Sequence, residues 1–117
     1  LTVNNTCDIT GDAAAGRKTL SILVGRRWGE RIVYLLGAAA GSVLFVFVFT
    51  GLLPPVTTLT TSLALAVSVP IYRAMHRRGF SHATKGQSMR SISRVFIVFS
   101  LAVVIPLLGE GIWRAQG

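Results

Sequence analysis

From Ile32 to Tyr72 no residue carries a charge, and this run of forty-one residues constrains the chain more than any other feature. One helical crossing of a bilayer core needs roughly 20 mostly apolar residues. Pro54-Pro55 divides the run, so it reads as a helical hairpin with spans at about 32–53 and 56–73. A third apolar stretch, Val95 to Gly109, is short by itself. Arg94 can snorkel at one end and Trp113 can sit in the aromatic belt at the other, which extends the span to about 92–112. Three crossings with short connectors predict an all-α, polytopic membrane protein forming one domain over residues 1–117. A mean hydropathy of +0.61 with only 14% charged residues excludes an ordinary soluble domain of this size.

The formal net charge is +8, and position decides what it means. Arg17, Lys18, Arg26, Arg27 and Arg31 precede the first span; Arg73, Arg77, Arg78, Lys85, Arg90 and Arg94 separate the second from the third. Cations bracketing apolar spans predict that both basic segments are cytoplasmic, with the Pro54-Pro55 turn and the C-terminus outside. The expected location is a bacterial inner (plasma) membrane. A nucleic-acid partner is not expected, because such proteins gather cations on one face rather than at span ends. Gly37-Ala-Ala-Ala-Gly41 is a small-xxx-small pattern that permits close helix packing. Pro70 and Pro106 are expected to kink their helices. His76 and His82 are six apart with no third ligand nearby, so they read as solvated loop side chains rather than a zinc site. The single Cys7 cannot form an internal disulfide.

Ahead of the spans stands Asn4-Asn-Thr-Cys-Asp8-Ile-Thr-Gly-Asp12, which holds two of the four acidic residues. On a helix, Asn4, Asp8 and Asp12 stack on one face at about 6 Å per step. Carboxylates at that spacing can each reach a hard cation such as Mg²⁺. Arg17 and Lys18 follow directly, and oxygen ligands followed by cations suit a Mg²⁺-bridged phosphate or diphosphate. Gly11 and Gly16 each weaken a helix by about 1 kcal/mol relative to Ala, so the helix is expected to break or end near one of them.

The order Asn4-Asn5, Asp8, Asp12, Gly16, Lys18-Thr-Leu and Gly25 resembles the second aspartate-rich motif of the UbiA superfamily of intramembrane prenyltransferases. The Asn-Asn lead-in is similar to that of the menaquinone branch, which prenylates 1,4-dihydroxy-2-naphthoate. The resemblance covers residues 3–25; beyond them it rests on helix count and topology. It implies the C-terminal part of a nine-helix bundle, with several helices and a first aspartate motif expected before Leu1. Without those N-terminal helices, the fragment is expected to be inactive. By resemblance, Asp8 and Asp12 are catalytic Mg²⁺ ligands, while Asn4, Asn5, Arg17 and Lys18 meet the diphosphate. The implied partners are a polyprenyl diphosphate, an aromatic acceptor and the lipid bilayer. Family members often carry charged residues at the positions of Thr10 and Ala13, and this chain does not. Other acceptors (4-hydroxybenzoate, haem, chlorophyllide or homogentisate) stay open. So does a non-enzymatic three-helix scaffold subunit.

Overall fold

The uncharged runs fold as helices, and so do most of the basic segments between them. The structure, a computed structural model, describes residues 1–116. Six helices follow in order: α1 (Thr2–Cys7), α2 (Ile9–Ala14), α3 (Leu20–Val24), α4 (Arg26–Phe49), α5 (Thr57–Arg78) and α6 (Lys85–Gln116). The long helices α4, α5 and α6 run up, down and up, with α5 packed against both others. Helix α1 lies against α4 and α6, and α3 packs on α1 and α4. The result is a rod of 61 × 23 × 19 Å.

At their basic ends all three long helices outrun the expected spans, whereas at the Pro54-Pro55 turn α4 stops at Phe49, short of the expected 53, and α5 starts at Thr57. Gly25 takes φ 79°, a left-handed backbone that glycine adopts without steric cost, and α4 starts immediately after it. Arg26, Arg27 and Arg31 therefore sit on the opening turns of α4 rather than in a connector. The loop expected over 73–94 shrinks to residues 79–84, because α5 runs through Arg78 and α6 begins at Lys85. Charged residues thus lie on the end turns of these helices, not beyond them.

Helices α4 and α6 are long and apolar enough to cross a membrane. Helix α5 is not one of these two; its hydroxyls and a basic last turn of His76, Arg77 and Arg78 dilute its apolar residues. Its polarity is inverted relative to a helix of a water-soluble protein. Thr57, Thr61 and Ser68 are fully buried, whereas Leu59, Leu63 and Val67 are exposed.

Small residues bring the helices together. Gly37 faces the ring of Tyr72, and Gly41 faces Leu65, where a Cβ would come within 3.0 Å of Cδ2. The Gly37/Gly41 pair therefore forms the α4–α5 contact, as small-xxx-small spacing permits. Pro106 lacks an N–H, which leaves the Ala102 carbonyl one turn earlier without its helical donor. The Thr60 hydroxyl donates to that carbonyl at 2.6 Å and ties α5 to α6. Thr60→Val is expected to cost about 1 kcal/mol, the usual range for an interhelical hydrogen bond in a membrane protein. Reversible unfolding in bicelles measures this, and an unchanged stability would mean the bond contributes nothing net.

The tightest core lies at the end of the rod that holds α1. Val3, Cys7, Val33, Met75 and Phe80 are all buried there, and Tyr34 meets Phe80 edge to face at 6.3 Å. Phe80 belongs to the short α5–α6 turn, so its burial anchors that turn beside α1. The same end carries the aspartate motif.

Candidate anion and metal site

The backbone keeps Asn4, Asp8 and Asp12 in one hydrogen-bonded row. The Asp8 N–H donates to the Asn4 carbonyl at 3.1 Å, and the Asp12 N–H donates to the Asp8 carbonyl at 2.8 Å. Asp8 itself is the joint between α1 and α2, with φ −113° and ψ 20°. The predicted break thus falls at Asp8, one turn before Gly11. The helix ends at the second predicted place, Gly16, where φ is 69°. That turn folds Arg17 back: its N–H donates to the Asp12 carbonyl at 2.9 Å, and its guanidinium meets Asp12 Oδ1 at 3.0 Å. Gly11 leaves room for the other carboxylate, since a Cβ there would lie 3.1 Å from Asp8 Oδ1.

The two carboxylates have different surroundings. Asp12 is 4% exposed, and its Oδ2 has no hydrogen-bond partner among the described residues. A buried acceptor left unpaired costs about 1–3 kcal/mol, more when charged. Asp8 is partly open and reaches across to the α5–α6 turn. Its Oδ1 lies 2.8 Å from His82 Nδ1, and its Oδ2 accepts from Lys85 Nζ at 2.9 Å. Lys85, then His82, hold the Asp8 carboxyl below the usual carboxylate range.

A depressed folded pKa has a definite sign. The stabilisation is complete above the unfolded value and is lost as pH falls through the folded one. The Asp8 link is therefore expected to survive acidification to about pH 4, the ordinary aspartate value, and to open only below it. A carboxyl-carbon NMR titration measures this, and a midpoint at or above that value would contradict the pairing.

The other sequence-expected residues are placed less decisively. Asn4 and Asn5 are half-buried, and Lys18 is exposed. None of the three makes a side-chain hydrogen bond or ion pair among the described residues. Thr19, next to Lys18, caps α3 by accepting from the Ile22 N–H at 3.3 Å. Helix α3 is turned so that Ser21 is buried on Thr6, hydroxyl to hydroxyl at 3.0 Å, while Leu20 and Leu23 are exposed. His76 is on the last turn of α5, not in a loop, with Nδ1 4.0 Å from Glu30 Oε2.

The residues that sequence reasoning missed are His82 and Lys85. His82 is largely exposed, as a solvated loop histidine would be, yet it is bonded to Asp8. In the sequence Lys85 is one cation of the basic segment 73–94, which reads as cytoplasmic anchoring or as a general attraction for an anionic diphosphate. Nothing there pairs it with Asp8. The pairs close over separations of 74 and 77 residues, which no local pattern encodes. The one local signal is Ser81-x-x-Thr84, a hydroxyl pair suited to a tight turn ahead of a helix.

Among the described residues, no three of His, Cys, Asp and Glu converge into a metal cage. Magnesium does not require one: it is commonly held by one or two carboxylates together with substrate phosphates and water. The orphaned Asp12 Oδ2 and the hard oxygens of Asp8, Asn4 and Asn5 fit that mode, and the facing cations fit the phosphate. Beside α1 lies an apolar cavity of about 270 Å³, lined by Val3, Val33, Leu36, Tyr72, Val95 and Phe96 among others. Thr2, which also lines it, precedes Asp8 by six residues, about 9 Å of helix. No protein-family model matches this chain, and no characterised protein or solved structure does either.

Proposed function

We propose that the chain forms the diphosphate-binding part of a Mg²⁺-dependent, UbiA-type prenyltransferase, transferring a polyprenyl group to an aromatic acceptor, 1,4-dihydroxy-2-naphthoate by the motif's lead-in. The observation that carries the reading is the buried, unpartnered Oδ2 of Asp12, held beside Arg17 and one turn from Asp8. A bound Mg²⁺ would neutralise the charge that gathers on a departing diphosphate. In this reading, Asp8 and Asp12 supply its ligands, and Asn4, Asn5, Arg17 and Lys18 meet the diphosphate. The apolar cavity beside α1 suits an isoprenoid tail and would keep water from an allylic cation.

The inverted polarity of α5 supports a third crossing. A helix that buries Thr57, Thr61 and Ser68 and exposes Leu59, Leu63 and Val67 suits lipid better than water. The basic end, with the aspartate pair, is then cytoplasmic by the positive-inside rule, and the C-terminus lies outside. The test is to incubate the full-length gene product in membranes with a polyprenyl diphosphate and a panel of aromatic acceptors, with and without chelator. The expected result is chelator-sensitive prenylation of the naphthoate. Transfer to a different acceptor would change the substrate, and no transfer to any would refute the reading.

A further inference from the structure

We infer that His82, on the α5–α6 turn, and Lys85, the first residue of α6, are diphosphate-binding residues, which hold Asp8 until the metal-loaded anion arrives and then contact its phosphate oxygens. This rests on the reading of Asp8 and Asp12 as a Mg²⁺–diphosphate site. Three observations carry it.

The turn is built to hold these side chains in place. Phe80 is 2% exposed in the core formed with Val3, Cys7, Val33 and Met75. Thr84 Oγ1 donates to the Gly79 carbonyl at 2.8 Å and accepts from the Ser81 N–H at 3.0 Å. His82 therefore sits on a closed turn with a buried anchor, Lys85 opens the helix that follows it, and the site does not have to order them.

The cations also occupy what an ion would take. Both Asp8 oxygens are engaged, Oδ1 by His82 and Oδ2 by Lys85. A Mg²⁺ ion on Asp8 would compete with the ammonium for the same oxygen charge and loosen Lys85 toward a new anion. The nearest new anion would be the phosphate the metal carries.

Finally, Lys85 has capacity to spare. An ammonium carries three donors, and Asp8 uses one. Its side chain is 30% exposed, and His82 is more open still, so the turn presents donors toward the solvent side of the carboxylate.

Calorimetric titration of the full-length gene product in phosphatidylcholine nanodiscs tests this, with Mg²⁺ alone and with Mg²⁺ plus inorganic pyrophosphate. Lys85→Gln and His82→Gln are each expected to weaken Mg²⁺–pyrophosphate binding by about tenfold, as loss of a charge-assisted hydrogen bond would. Neither should weaken binding of Mg²⁺ alone, because each removes a competitor for Asp8. Lys85→Arg should retain most pyrophosphate affinity. If both glutamine variants bind Mg²⁺–pyrophosphate within about twofold of wild type, the inference fails while the underlying site stands. Equal losses for Mg²⁺ alone would show that the turn only positions Asp8, which also overturns it. No Mg²⁺–pyrophosphate binding by the wild type would overturn both.

Discussion

Asp12→Asn in the full-length protein is expected to lower Mg²⁺-dependent prenyl transfer by about a hundredfold or more, the scale on which loss of one charge-stabilising group acts. The reasoning starts from the orphaned Oδ2. Asparagine has the same shape and can still accept from Arg17 through its carbonyl. It places an amide where the anionic oxygen stood, and an amide nitrogen cannot bind a hard cation. The fold should survive, because the Arg17 side chain is 68% exposed and water replaces what the charge supplied. Circular dichroism and a radioactive transfer assay on the same preparation separate the two effects. Unchanged turnover would remove Asp12 from the ion site. Asp8→Asn should also abolish turnover, with the difference that it frees the α5–α6 turn from its carboxylate partner.

The second large effect is mechanical. Gly29 is buried where α1 crosses α4, and a Cβ there would lie 2.5 Å from Thr6 Oγ1 and 2.9 Å from its Cγ2. Thr6 is itself fully buried and holds Ser21, so its short side chain has nowhere to swing. Gly29→Ala must push α1 off α4, at a cost of about 1–3 kcal/mol, as overpacking usually does. The carboxylates ride on that segment, so metal affinity should fall with stability. Gly109→Ala is the control. Nothing lies within 4 Å of the added methyl, and an alanine inside α6 should leave stability unchanged or raise it by up to about 1 kcal/mol. Equal behaviour of the two variants would remove the close contact from the account.

Helical class, the Pro54-Pro55 division, the packing of Gly37 and Gly41 and the helix end at Gly16 were all legible in the sequence, because each follows from local chemistry. The start of α4 was not. Arg26 to Arg31 reads as a connector if charge ends a span, whereas a helix continues wherever its own hydrogen bonds do. The inverted polarity of α5 was hidden for a related reason: hydroxyls near a turn could equally have bonded their own backbone, and only packing shows that Thr60 reaches Ala102. In the candidate site, the Asp8–Asp12 row was readable from spacing alone. The His82 and Lys85 partners of Asp8 were not, because they belong to a turn whose place beside α1 is set by Phe80.

The length of the rod has its own consequence. At 61 Å it outreaches a bilayer, which is about 40–45 Å thick with its headgroups included. In the proposed membrane-spanning arrangement, with the long axis along the membrane normal, roughly 15–20 Å of it stands proud of the lipid. Polarity assigns that overhang to the end where α4 and α6 begin, since among the described residues the opposite end holds only the Glu110 and Arg114 side chains as charged groups. In the proposed orientation, water-borne reagents, proteases and antibodies should therefore reach the turn at residues 79–84 in sealed inside-out vesicles, while the Pro54-Pro55 corner stays shielded.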